Sequence, residues 1–226
     1  MRYLFTDRFK GNSAGSYDSL NLALHVGDNP EHVRLNREVL AEKMDVKNLV
    51  FMNQVHGANI EIITAKNSTK SMECDGMITN LKDIALCVMV ADCIPILFYD
   101  QLQKVIAVAH AGRNGVYLKI ANKIVEKMIS NFNCQVKNIK VFMGPSIKSC
   151  CYEVKNDATK GFENYLHIRD GKIFLDIIQK CIDDLKDIGI SGLNIDLSPI
   201  CTCCDENYFS YRRSGVTGRF CGAIKL

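Results

Sequence analysis

His56, Cys93 and His110 are the side chains of this chain with the most chemistry in them. Imidazole nitrogen and thiolate sulfur are zinc donors, with Zn–N about 2.0–2.1 Å and Zn–S about 2.3 Å, and three protein ligands leave the fourth tetrahedral position for water or substrate. An open centre of that kind lowers the pKa of the bound water to about 7 and supplies hydroxide at neutral pH. The same residues also allow a metal-free reading, with Cys93 as nucleophile and His110 as its base. Spacing alone leaves both open. A second group, Cys201, Cys203 and Cys204 with Cys150 and Cys151 as its only partners, reads as ordinary buried thiols. Structural zinc usually takes two separated ligand pairs at wider spacing.

The elements that must position these residues centre on Ile84–Gly115, which holds three strand-length apolar runs broken at Asp92-Cys93 and at residues 100–103. Each run is too short for a helix and rich in Val, Ile, Leu or Phe, so each reads as a buried strand, and the break at 100–103 suits a hairpin turn. Placing Tyr99 opposite Lys104 puts Cys93 opposite His110, with Cβ atoms roughly 5 Å apart on one face. A bulge at Pro95 would shift that count.

Upstream, Asp28-Asn29-Pro30-Glu31 is a helix start for a helix running to about Met44. It buries Val33, Leu40 and Met44 and contains Asn36 and Arg37, the latter read as a solvated helix charge. Strands are expected at 49–55 and 59–64, flanking a Gly-containing corner that carries His56, followed by a polar loop at 66–73 and a strand at 77–79. The turn Gly112–Gly115 leads into an amphipathic helix marked by Val116, Ile120, Ile124 and Met128. Free amides at such a turn suit an anion, although many such turns bind nothing. A strand at 139–143, helices near 157–166 and 175–188, and a last strand near 220–224 complete the reading. No internal repeat is evident.

The 226 residues, 47% hydrophobic and 23% charged, fit one folded domain spanning 1–226 and exclude a disordered chain. A net charge of +3, evenly spread, argues against nucleic acid or an acidic membrane surface as partner. The first residues lack an apolar signal region and no run is long enough to span a bilayer, so the expected location is the cytoplasm. There the eleven cysteines are expected to be thiols.

The ordered motifs Asn53-Gln54-Val55-His56-Gly57, Cys74-Asp75-Gly76, Ala91-Asp92-Cys93-Ile94-Pro95, Ala109-His110-Ala111-Gly112, Gly144-Pro145-Ser146-Ile147 with Cys151-Tyr152-Glu153-Val154, and Phe209-Ser210-Tyr211-Arg212-Arg213 resemble those of the laccase-domain family. That family was once labelled multicopper polyphenol oxidase and is now described as purine nucleoside phosphorylases. The resemblance covers almost the whole chain. It implies an α+β fold, a four-layer α/β/β/α sandwich with mixed sheets, and a zinc site (copper the alternative) at His56, Cys93 and His110. It further implies phosphorolysis of adenosine, inosine and methylthioadenosine, with adenosine deamination as a side activity.

On that reading Asn36, Arg37, Gln54 and Arg113 contact substrate, with the arginines holding phosphate. Asp75 and Asp92 either stabilise the cationic sugar and handle protons, or only orient the histidines and cap turns. The partners are then a purine nucleoside and phosphate, for a monomer or homodimer. One departure stands out: the family's usual HAGWRG is here His110-Ala111-Gly112-Arg113-Asn114-Gly115, which changes a wall of the pocket. Competing readings are an amide hydrolase editing peptidoglycan precursors and a Cys–His thiol hydrolase. Copper oxidation fits poorly, because its sites consume more than the five histidines present. A non-enzymatic zinc module would show a closed four-ligand site instead.

Overall fold

A computed structural model describes residues 1–70 and 72–226. In chain order its elements are β1 (Arg2–Phe5), α1 (Pro30–Met44), β2 (Asn48–Phe51), β3 (Ile60–Ile62), β4 (Gly76–Thr79), β5 (Ile84–Val90), β6 (Ile94–Asp100), β7 (Val105–Ala111), α2 (Arg113–Tyr117), α3 (Ile120–Phe132), β8 (Ile139–Met143), β9 (Glu153–Val154), β10 (Leu166–Arg169), β11 (Lys172–Leu175), α4 (Ile177–Asp187), β12 (Ile195–Leu197), α5 (Tyr211–Ser214) and β13 (Phe220–Lys225).

Two mixed sheets lie face to face, one ordered β1-β13-β5-β2 and the other β12-β8-β6-β7-β4-β3, with a small β10-β11-β9 sheet beside them. The alternation within the strands shows the layers. Ala85, Cys87 and Met89 of β5 pack with Leu40 and Met44 of α1, while Leu86, Val88 and Val90 meet Leu97, Ile106 and Val108 between the sheets. The other face of β6 and β7, with Ile96, Phe98, Ala107 and Ala109, is covered by Ile120, Ile124 and Met128 of α3 and by Leu185 of α4. The order is therefore α/β/β/α. Strands buried on both faces lose polar alternation, which is why β5, β6 and β7 read as unbroken apolar runs.

Helix α1 starts as its local signals dictate, with Asn29 Oδ1 accepting the Glu31 amide at 2.9 Å and Pro30 in the first turn. The hairpin β6–β7 is present, but its register differs from expectation by two residues. Tyr99 pairs with Ile106 and Pro95 with His110 in an unbroken ladder from Ile94 to Asp100. The cause is the turn: Asp100 Oδ1 accepts the amides of Leu102 and Gln103, so the loop is 101–104 rather than 100–103. A two-residue slip preserves side-chain parity, so Cys93 and His110 still project toward the same, inter-sheet side.

Other boundaries moved. Residues 157–166 hold two short 3-10 turns and the start of β10, with Gly161 at φ 81° between the turns. Leu175 closes β11, and α4 begins only after the capping Asp176. The helix expected after Gly112 is two helices, α2 and α3, separated where Lys119 adopts φ 56°. Of the polar stretch 66–73, residues 66–69 form turns, and Ser71 lies outside the described residues. Among the described residues, no helix is long and apolar enough to cross a membrane.

Candidate metal centre

The segment 91–93 carries the chain from β5 in one sheet to β6 in the other, and it makes that crossing where the inter-sheet core ends. Asp92 turns the backbone at φ 90°. Cys93 follows at the mouth of the gap, His110 arrives on β7 one residue from its end, and His56 stands on the corner after β2 in a left-handed conformation, φ 58°. One donor atom from each of the three lies within 4.8 Å of the other two. The imidazole rings meet edge to face, with centroids 4.8 Å apart and planes at 83°. Gly112 makes room for them: a Cβ there would stand 2.9 Å from Cys93 Sγ.

Asp75 holds this arrangement in place. Its buried carboxylate accepts from His110 Nδ1 at 2.8 Å, and from the amides of His56 at 3.0 Å, Gly57 at 2.7 Å and Val55 at 3.3 Å. Engaging Nδ1 leaves His110 Nε2 as the free donor, the arrangement by which a carboxylate fixes the tautomer and orientation of a ligand histidine. Asn114 Nδ2 donates to His56 O at 2.7 Å and anchors the same corner from α2.

Charge follows the geometry. Burial alone would raise the Cys93 thiol, but His110 and His56 outweigh it and bring it to about 6. Burial likewise opposes the charged form of His110, and Cys93 and Asp75 overcome it, lifting the imidazole to about 9. Burial opposes Asp75 ionisation too, yet His110 and the amides of Gly57 and Val55 hold its carboxyl below the usual range. A thiolate and two imidazoles at one point form a soft donor set that suits zinc or copper better than magnesium or calcium.

The centre opens into a cavity of about 390 Å³ lined by His25, Gln54, Met89, Asp92, Ile147, Tyr152, Tyr211, Arg212 and Arg219 beside the three donors. That is the lower part of the range for small-molecule sites. Gln54 lies in the wall, its amide paired in both directions with the Met89 backbone at 2.8 and 3.0 Å. Asp92 is there as well, Oδ1 accepting from Thr202 Oγ1 at 2.7 Å and Oδ2 from the Arg212 amide at 2.6 Å.

The remaining expected contacts lie elsewhere. Asn36 is fully buried, its amide spent on Ser13, Ser19 O, Asn21 O and the Asn12 backbone, so it shapes the 12–21 loop. Arg37 is half-buried rather than fully solvated: its guanidinium covers Phe51 at 4.0 Å, Nε donates to Leu22 O, and it lines a neighbouring hollow that shares His25 and Met89 with this one. Arg113 is exposed at the start of α2 and is not among the cavity's lining residues. The cations in the wall are instead Arg212 and Arg219. In the sequence Arg212 stands out only as part of the Phe209–Arg213 motif, and Arg219 follows a glycine-rich turn with no periodic signal.

Fold and site together define a layered α+β protein whose three-donor centre faces an internal cavity. The chain belongs to the family described as multi-copper polyphenol oxidoreductase laccase, which it matches over residues 2–226. It is 33% identical to a Mycobacterium tuberculosis protein named purine nucleoside phosphorylase, across 99% of this chain and 91% of that one. Identity to the purine nucleoside phosphorylase YfiH of Escherichia coli is also 33%, covering 97% and 91%. Among solved structures, the Bacillus licheniformis hypothetical protein YfiH superposes with a TM-score of 0.94 at 31% identity, covering 99% of this chain and 92% of that one. YlmD from Geobacillus stearothermophilus gives a TM-score of 0.91 at 31% identity, covering 99% and 90%.

Proposed function

We propose that this chain is a cytoplasmic enzyme, one domain over 1–226, that cleaves purine nucleosides with phosphate to free base and ribose 1-phosphate. The observation that carries the reading is the open three-donor centre, His56, Cys93 and His110, at the end of a cavity that also offers aromatic faces and two guanidinium groups. Names printed for relatives at about a third identity point the same way. Adenosine, inosine and methylthioadenosine are the substrates to test, with adenosine deamination as a secondary activity of the same centre.

The residues present fit a zinc ion, since the donors converge, Asp75 fixes the His110 tautomer and Gly112 leaves space against Cys93. When bound, the ion supplies Lewis acidity and a lowered pKa for a coordinated water. The rest of the work falls to side chains. Tyr152 and Tyr211 line the space a purine would occupy, and Arg219 and Arg212 give positive charge for phosphate, roles first expected of Arg37 and Arg113. An oxygen of phosphate bonds to C1′ as the C1′–N9 bond breaks, its electron pair leaving on the purine, which takes up a proton. Arginines that hold the dianion near the sugar lower the entropic barrier to that displacement. Gln54, clamped to Met89, serves as a rigid piece of wall. Asp75 and Asp92 are positioning residues on this reading, because their carboxylates are already engaged by His110, Thr202 and backbone amides.

The test is turnover of inosine and adenosine with phosphate present and omitted, in wild type and His110→Ala. Phosphate-dependent ribose 1-phosphate formation that His110→Ala abolishes is expected. Hydrolysis of peptidoglycan precursors without nucleoside cleavage would replace the reading with the amide hydrolase.

A further inference from the structure

Away from the cavity, the structure brings Cys150, Cys151, Cys201 and Cys204 together, with one donor sulfur from each within 4.8 Å of all the others. Their spacing reads as ordinary buried thiols, but the structure leaves Cys150 and Cys204 exposed and Cys151 and Cys203 half-buried, with only Cys201 buried. The loop after β12 runs parallel to the one after β8 through a Ser146–Cys201 bridge, which brings Cys201-x-x-Cys204 onto the Cys150-Cys151 turn.

We propose that these four cysteines form a structural site for a single thiophilic divalent ion, zinc, distinct from the His56–Cys93–His110 centre. Zn–S bonds of about 2.3 Å place tetrahedral sulfurs about 3.8 Å apart. The Cys151–Cys204 and Cys150–Cys204 sulfurs are 3.3 and 3.6 Å apart, so small rotations of the side chains reach that spacing. Four thiols gathered this closely leave room for one ion among them. Spacing of the C-x-x-C kind on Cys201 and Cys204 is that of a zinc knuckle.

Two further observations point to a metal thiolate. The Lys148 amide donates to Cys201 Sγ at 3.4 Å, a bond that stabilises sulfur bearing negative charge. Cationic side chains also surround the loops. Arg169 donates to Ser149 O and Cys150 O, Arg212 to Cys151 O, Arg213 to Thr202 O and Cys203 O, and Lys148 to Ser198 O. Four thiolates around one divalent ion leave two negative charges, which that ring of cations offsets. The ion's role follows from what the loops carry: Thr202, between the ligands, bonds Asp92 in the cavity wall, so the ion ties the wall to β8 and β12.

The proposal is tested by metal content and does not depend on the nucleoside reading. Wild type purified under reducing conditions should hold about two zinc ions per chain, and Cys93→Ala about one, if both centres are of the four-coordinate zinc kind. Cys150→Ser/Cys204→Ser in the Cys93→Ala background should hold none. Cobalt loaded into Cys93→Ala should give the strong sulfur-to-metal absorption of a four-thiolate site. As a check independent of the Cys150 and Cys204 substitutions, the Cys150 and Cys204 thiols of folded Cys93→Ala should resist alkylation until a chelator is added. A metal-free Cys93→Ala protein, free alkylation without chelator, a disulfide within the four, or iron in place of zinc would each overturn the assignment.

Discussion

Asp75→Asn tests most directly how the centre is held. The carboxylate takes four donors, His110 Nδ1 and the His56 amide on Oδ1, and the Val55 and Gly57 amides on Oδ2. An asparagine has nearly the same shape but one oxygen, so whichever way it turns, two of these donors face an NH2 group. Since the three amides are half-buried, the fold should lose about 1–3 kcal/mol, the cost of one unsatisfied buried donor. Metal affinity should drop about 10–100-fold, as when an orienting partner of a ligand histidine is lost. Urea denaturation of stripped protein reads the first number, and competition with a chromophoric chelator reads the second. The pH dependence has a definite sign. Because Asp75 titrates below its ordinary value in the fold, its contribution is complete above about pH 4 and fades as pH falls through the lower, folded value. The gap between wild type and Asp75→Asn should therefore be widest near neutrality and narrow in acid. Equal stability at pH 7 with unchanged metal affinity would refute the positioning role.

Other perturbations follow from the same geometry. Gly112→Ala puts a methyl 2.9 Å from Cys93 Sγ, so metal affinity should fall while the helical content, read by circular dichroism, stays the same. In protein stripped of metal, Cys93 should be alkylated with a midpoint near pH 6, set against burial by His110 and His56, so a midpoint in the ordinary thiol range would show that the imidazoles do not act on it. Arg219→Met should raise the KM for phosphate about tenfold or more, the loss of one charge-assisted bond, and change kcat less; an unaltered phosphate KM would remove Arg219 from the anion site. Phe98→Ala, which empties a fully buried position between β6 and α3, should cost about 3–5 kcal/mol in thermal or urea unfolding.

Legibility in the sequence tracked how local each cause was. Helix α1 could be read because Asn29, Pro30 and Glu31 signal its start within one turn. The strands β5, β6 and β7 stood out because burial on both faces leaves only apolar residues. The register lies two residues from the counted one because Asp100 folds the turn onto its own carboxylate, a preference that counting paired residues does not see. His56, Cys93 and His110 still converge because an even slip keeps the face. Asn36 and Arg113 look like ligand-binding residues by type, and nothing nearby in sequence reveals that one is sealed between α1 and the 12–21 loop and the other exposed outside the cavity. His25, Tyr152 and Arg219 come from three connecting segments and Arg212 from α5, which only the closed sandwich assembles, as it does the cysteine quartet.

Strand β13 lies between β1 and β5, so Arg2 finds its partner in Lys225 and Val90 in Phe220. During synthesis β1 emerges long before β13, the neighbour it pairs with, exists. Contacts this distant along the chain slow folding, and the unmatched edges of β1 and β5 stay open to other nascent chains in the interval.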